Sequence, residues 1–365
     1  MADPRPALIV TGVASDLAAH VLPFLAEYEV IGLDLEPPAV NSLQQFVAFD
    51  LSKEESCGEL TTLIHEVKPV GIVHFAFAKD ISESKNYDVD RMWHINVAGT
   101  ARVMEAITEA NRDVHIVEKF IYVSDALVYG PELHVPASED SKLNAGDFPF
   151  AVQQMEADQV VQQRAPSLRG CSVFMLRLQV LAGRGLHNYL IDTLRGNPEG
   201  TGKRAERLRQ KGERLTYALP FGSDYLQVKK QFLHADDFAR VIAYILARTE
   251  PESQRLTLMN VAGRGEALTM EQCVALAKAT LKRVPGKLGM EKLLEYRWNA
   301  GISNVRPEFC PYILGENVVA TDRLKKFLGP DYESTIHYTN ADAFADSFSP
   351  AAQAAQHSEH SMAGK

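Results

Sequence analysis

The chain has 365 residues, a net charge of −9, 46% hydrophobic residues and 23% charged residues. That length can bury a large core and suggests two domains or one large α/β unit, while the acidic balance argues against a general nucleic-acid binder. No apolar run approaches the ~20 residues that span a bilayer, so no membrane partner is expected. The first residues run straight into a strand-like segment, without the charged start and apolar stretch of a signal peptide. Four cysteines (Cys57, Cys171, Cys273 and Cys310) show no Cys-x-x-Cys spacing. Neither a metal site nor a disulfide framework is expected, and a reducing cytoplasm is the default location.

Along the first half, residues 7–10, 30–33, 45–49, 71–75, 119–123 and 172–176 are short runs, apolar throughout or nearly so. Such runs predict strands buried on both faces of a parallel sheet. Residues 96–111 carry Val97, Ala101, Val103, Met104 and Ile107 at helical spacing. The alternation predicts a Rossmann-type α/β fold, a doubly wound parallel sheet with its ligand outside the carboxyl ends of the strands. After Gly183 the rhythm changes. Residues 195–214 are basic and read as a long loop with one short helix. Residues 234–249 predict a helix opened by Asp236 and Asp237. A strand over 255–261 and a helix over 269–281 follow. The expected division is a dinucleotide-binding domain over 1–180 and a smaller C-terminal substrate-binding subdomain over 181–340. Segments around 230–262 return to the first domain. Residues 341–365, rich in Ala, Ser, Gln and His, predict a disordered tail.

Val10-Thr-Gly-Val-Ala-Ser-Asp-Leu-Ala18 joins the first strand to a helix. A dinucleotide loop here ordinarily carries three glycines, for a tight turn, for approach of the pyrophosphate and for helix packing. Gly12 is present, Ser15 stands second and Ala18 third. Ala18 remains small. The Cβ of Ser15 crowds the pyrophosphate, although its hydroxyl can donate. The second strand ends in Asp34, 22 residues after Gly12. An acid there takes the ribose hydroxyls and repels a 2′-phosphate, favouring NAD over NADP. Asp50 and Leu51, after the third strand, would flank the adenine.

Further on stand Val73-His-Phe-Ala76, Asn96-Val-Ala-Gly-Thr100, Phe120-Ile-Tyr-Val-Ser-Asp-Ala-Leu-Val-Tyr-Gly130, Leu176-Arg-Leu-Gln-Val180, Gln231-Phe-Leu-His-Ala-Asp-Asp237 and Asn260-Val-Ala-Gly263. In this order they resemble the extended short-chain dehydrogenase/reductase family, the NAD-dependent nucleotide-sugar epimerases and dehydratases. The likeness runs from Ala7 to about Gly329. It implies that Phe75, Ala76 and Phe77 pack near the nicotinamide ribose and pyrophosphate. It implies that Asn96 ties neighbouring strands together and that Leu178 lies beside the nicotinamide. Asn188 and Lys230 (or Lys229) would meet a nucleotide-sugar phosphate, although a solvated loop explains the lysines as well. His74 reads as a strand-end hydrogen bonder. Many relatives pair two helices per subunit into a four-helix dimer, and the helices after Asn96 and Phe150 would do so here.

The family's chemistry uses a Tyr-x-x-x-Lys pair and a serine or threonine. A tyrosinate moves the hydroxyl proton, its phenol tuned down from about 10. Here Phe150 and Gln154 occupy the tyrosine and lysine slots, and Asp125 occupies the serine slot. Ser124 is one residue early, and adjacent strand residues face opposite sides. Phe150 cannot exchange a proton. Gln154 can hydrogen-bond a ribose but cannot stabilise a phenolate. Asp125 can act as a base. Three readings follow: a protein that binds NAD and a nucleotide-sugar-like ligand without tyrosine chemistry, an oxidoreductase or epimerase using Asp125 or water, or an interaction protein that has lost the nucleotide.

Overall fold

The structure, a computed structural model, describes residues 4–38, 43–78, 88–249 and 256–349. Seven strands form the central sheet: β1 (Ala7–Thr11), β2 (Glu29–Asp34), β3 (Gln45–Ala48), β4 (Gly71–His74), β5 (Lys119–Asp125), β6 (Ser172–Leu178) and β7 (Leu256–Val261). Their order is β7-β6-β5-β4-β1-β2-β3, and every pairing is parallel. The strand order reverses between β1 and β4, which opens a crevice at their carboxyl ends.

The helices that position the site are α1 (Asp16–Val21), α2 (Ser56–Val67), α3 (Thr100–Ala110), α4 (Pro149–Arg164), α5 (Tyr189–Arg195), α6 (Ala235–Ala247), α7 (Gly286–Asn299), α8 (Cys310–Leu314) and α9 (Asn340–Asp346). One core layer joins Leu8, Val10 and Ile121 of the sheet to Phe238 and Ile242 of α6. The other joins Ile9, Phe120 and Tyr122 to Met104 of α3 and Val161 of α4. Phe120 and Ile121 therefore face opposite layers, as period-2 side chains must. α3 buries Val103, Met104 and Ile107 as expected. It continues from a π-helical turn, His94–Gly99, that contains Asn96.

Beyond β6 a smaller unit is built from short pairs. Val180–Ala182 pairs in parallel with Phe232–His234, and Tyr217–Pro220 with Leu281–Val284. α6 packs on the main sheet, and β7 joins it beside β6.

Two expectations change. The helix expected over 269–281 is shorter, Met270–Leu276, opened by a Thr269–Gln272 capping box. Lys278 at φ 51° turns the chain into the strand Leu281–Val284. The basic stretch over 195–214 holds one short helix, Lys203–Gln210, as its reading anticipates. The tail is not irregular from residue 341. α9 is a capped helix with a Thr339–Asp342 capping box, and Phe344 packs on Phe232 at 4.8 Å between ring centroids. Its few apolar residues hide the pattern in the sequence, because the N-cap and one aromatic anchor hold it. Residues 350–365 lie outside the described residues.

Candidate cofactor and ligand site

The loop after β1 turns at Gly12, φ +71°. A Cβ there would lie 2.5 Å from backbone atoms of Phe75 and Ala76. The β1 and β4 exits thus touch through this residue. Ser15 has an ordinary extended φ of −72° and caps α1. Its hydroxyl donates to Gly12 O at 2.8 Å and accepts from Ala18 N at 3.2 Å. In this structure the Ser15 hydroxyl finds its acceptor inside the loop, the Gly12 carbonyl. Asp16, exposed in the first helical turn, adds a negative charge beside the same place, a feature the glycine pattern does not register. Ala18 is fully buried.

Asp34 sits at the end of β2. Its two oxygens accept Ala14 N at 2.9 Å and Leu35 N at 2.7 Å. A carboxylate offers about four lone-pair sites, so acceptor capacity is left for ribose hydroxyls. Asp50 accepts Ser52 N and Oγ. Burial pushes its carboxyl up, but those bonds and the charges of Lys53 and Arg91 outweigh it and hold the group below its usual range. Leu51 packs in the layer with Phe49 and Leu60.

On the β4 side, Phe75 is buried against Phe238, and Phe77 meets His74 and Tyr122 edge-on. His74 lies 2.6 Å from Thr11 Oγ1 and 3.1 Å from Thr100 Oγ1. Burial lowers its pKa to about 3, so it is a neutral bridge between β1 and α3. Asn96 accepts from Ala78 N at 2.8 Å and donates to Ala78 O and to Gln153 Oε1. It ties the β4 exit to α4, not strand to strand.

At the β5–α4 edge every changed position has a structural occupation. Phe150 is 7% exposed, in a cluster with Met92, Leu127 and Phe148. Gln154 is 1% exposed, its Oε1 3.4 Å from the Tyr122 hydroxyl. Burial, followed by the charge of Asp158, raises the Tyr122 phenol well above 10, so it is no tyrosinate. Ser124 faces the α4 layer and donates to Asp158 Oδ1 at 2.5 Å. Asp158 is fully buried and holds Arg177 Nε at 2.7 Å. Arg177 reaches the Tyr129 hydroxyl at 2.8 Å, which donates to Asn260 Oδ1 at 2.6 Å.

Asp125 is half-buried on the other side and accepts Leu127 N at 2.9 Å, capping the turn Ala126–Tyr129. Tyr189 and Tyr312 stand near it. Burial first, and then the Asp125 charge, raises both phenols, which remain protonated. Around them Phe309 meets Tyr189 at 3.7 Å and Phe148 at 4.7 Å between centroids. Sequence reading missed Tyr122, Arg177, Tyr189 and Tyr312. Alternation along β5 marks Tyr122 as sharing a face with Ser124, while nothing local marks Tyr189.

The two ligand residues expected farther on are engaged with the backbone. Asn188 caps α5, accepting Leu190 N and Ile191 N and donating to Leu181 O. Lys230 is not in a solvated loop. It is 2% exposed, and its Nζ donates to Tyr312 O at 2.7 Å and Gly315 O at 2.6 Å, holding the end of α8. Burial lowers its pKa to about 8. Leu178, 4% exposed, ends β6 opposite Asp125 in register. A cavity of about 580 Å³ opens among Tyr129, Phe148, Lys287, Glu291 and Tyr312. Asp125, Asn188 and Lys230 do not line it. No helix among the described residues is long and apolar enough to cross a membrane.

The chain is similar to UDP-glucose 4-epimerase of Drosophila melanogaster, 27% identical over 191 residues, 47% of this chain and 52% of the fly enzyme. It thus spans about half the length of that relative. The Dictyostelium discoideum UDP-glucose 4-epimerase is 24% identical over 298 residues, 76% of this chain and 82% of its own. Among solved structures, a tyrosine-to-phenylalanine mutant of Bacillus cereus UDP-glucuronic acid 4-epimerase, in complex with UDP-4-deoxy-4-fluoro-glucuronic acid and NAD, superposes with TM-score 0.65. That match is 15% identical and covers 96% of this chain and 99% of the other. Residues 8–262 match the NAD dependent epimerase/dehydratase family, and the chain belongs to that family.

Proposed function

We propose that the chain binds NAD(H) and a nucleotide-sugar-like ligand without tyrosine-dependent proton transfer. One observation carries this reading: in a member of this family, the tyrosine and lysine slots hold a packed phenyl, Phe150, and a buried amide, Gln154. Neither side chain can move a proton at neutral pH. The cofactor end keeps more of its parts. Gly12 holds the close turn and Asp34 stands where a ribose would meet it, which supports NAD over NADP. The mutant epimerase with phenylalanine in place of a tyrosine carries both NAD and a UDP-sugar, which supports binding without the phenol. The reading includes a cytoplasmic location and a homodimer through the faces of α3 and α4.

The test is calorimetric titration with NADH and NADPH, repeated on Asp34→Ala. Saturable NADH binding that the variant loses is the expected result. No binding to either dinucleotide would sink the proposal and favour the interaction-protein reading, in which Ser15 and Asp16 close the loop to pyrophosphate. A second reading, a working epimerase or oxidoreductase, draws on Asp125, a carboxylate beside two protonated phenols. It requires turnover on a UDP-sugar panel that Asp125→Asn abolishes.

A further inference from the structure

A second cavity, of about 1170 Å³, lies at the opposite end of the sheet, at the amino ends of β5 and β6. Four separate segments bring cations to its wall: Arg112 and His115 after α3, Lys119 opening β5, Arg169 before β6, and Arg248 after α6. Glu118 is the one carboxylate among the described lining residues. Among the described lining residues, Arg112, Lys119, Arg169 and Arg248 are four cations against one carboxylate. The chain as a whole is at −9, so this concentration runs against the overall balance.

Part of the wall is fixed. Lys119 Nζ donates to Leu246 O at 2.6 Å and to Arg248 O at 2.5 Å. Arg248 donates to Phe327 O and lies over the Phe327 ring. His115 lies flat against Gly170, where a Cβ would come within 2.3 Å of the ring, and Gly170 has φ +66°. The other part is available. The side chains of Arg112, His115 and Arg169 make no hydrogen bond or ion pair among the described residues. Helix carboxyl ends draw cations for their own carbonyls, and Lys119 answers that need. Arg112 and Arg169 do not.

We infer that this cavity binds a small ligand carrying two linked phosphate groups, distinct from any dinucleotide in the β1–β4 crevice. The guanidinium fork matches phosphate oxygens two at a time. Two available arginines on different segments suit a diphosphate better than a single phosphate.

The experiment is calorimetric titration of the full chain with inorganic pyrophosphate at low salt, in three proteins. These are the unaltered chain, Arg112→Glu/Arg169→Glu, and Ala14→Glu, which places a carboxylate on the exposed glycine loop. The expected result is saturable binding shared by the unaltered chain and Ala14→Glu. Affinity should fall at least roughly tenfold in the double variant and weaken as salt rises. All three arginine and alanine positions are exposed, so the folded state is retained, and circular dichroism checks it. Pyrophosphate lost in Ala14→Glu and kept in the double variant would assign the anion to the glycine loop and overturn the inference. No saturable binding, or equal affinity in all three proteins, would overturn it too.

Discussion

The loop after β1 and the edge between β5 and α4 face the same crevice, yet they have changed in different ways. At the loop, the residue the backbone needs is kept. Gly12 retains its positive φ and its contact with the β4 exit. Ser15 replaces a glycine whose place demands no positive φ, and becomes a helix cap. At the edge, Phe150 and Gln154 stand in the slots the resemblance gives to tyrosine and lysine, and their neighbours form a closed buried network from Ser124 through Asp158 and Arg177 to Tyr129 and Asn260. Backbone requirements persist where they are steric. On the proposed function, side-chain requirements lapse when the reaction does, and packing then takes the space.

The largest effect that would test this contrast is at the edge. Arg177→Met leaves Asp158 buried without its cation and should cost about 3–5 kcal/mol, read from denaturant midpoints. A loss below about 1 kcal/mol, the ordinary size for a point change, would mean the network is not structural. Next is the bridge between loop and sheet. His74 is neutral in the fold, with a pKa of about 3 against 6.5 when unfolded. As pH falls, the unfolded chain takes up the proton first, so stability is full above pH 6.5 and is lost toward pH 3. The loss is on the order of 4 kcal/mol. Urea midpoints across that range should fall less steeply in His74→Asn, and parallel slopes would remove His74 from the account.

At the loop itself the effects are smaller. Asp34→Ala should weaken NADH by about 1.5–3 kcal/mol, the worth of a hydrogen bond to a charged group. An unchanged affinity would place the ribose elsewhere. Ser15→Gly should cost only about 0.3 kcal/mol of stability, as glycine caps nearly as well. Its NADH affinity should rise if the serine Cβ crowds the pyrophosphate, and a fall would show instead that the cap shapes the site.

Much of the architecture was readable from residue patterns. The six apolar runs are strands of the sheet, and the helix after Asn96 buries the residues its spacing selects. These signals are local, since periodicity records which face is covered. The C-terminal helix Asn340–Asp346 was hidden because a cap and Phe344 hold it, not a stripe. For the site, the slots given to Asp125, Phe150 and Gln154 come from the family resemblance. What surrounds them does not. Tyr189 comes to Asp125 from a different segment, and Lys230 turns inward because the end of α8 offers it two carbonyls. Such partners depend on tertiary placement, which spacing does not encode.

Gly12 has one more consequence. Its missing Cβ makes room for the backbone of Phe75 and Ala76, whatever else enters the crevice. Selection on folding alone would keep it after every ligand had gone. In this chain the first glycine of the loop is also a joint between two strand exits. A motif keyed to it therefore reports the joint, and on the proposed function the cofactor is tested at Ser15, Asp16 and Asp34.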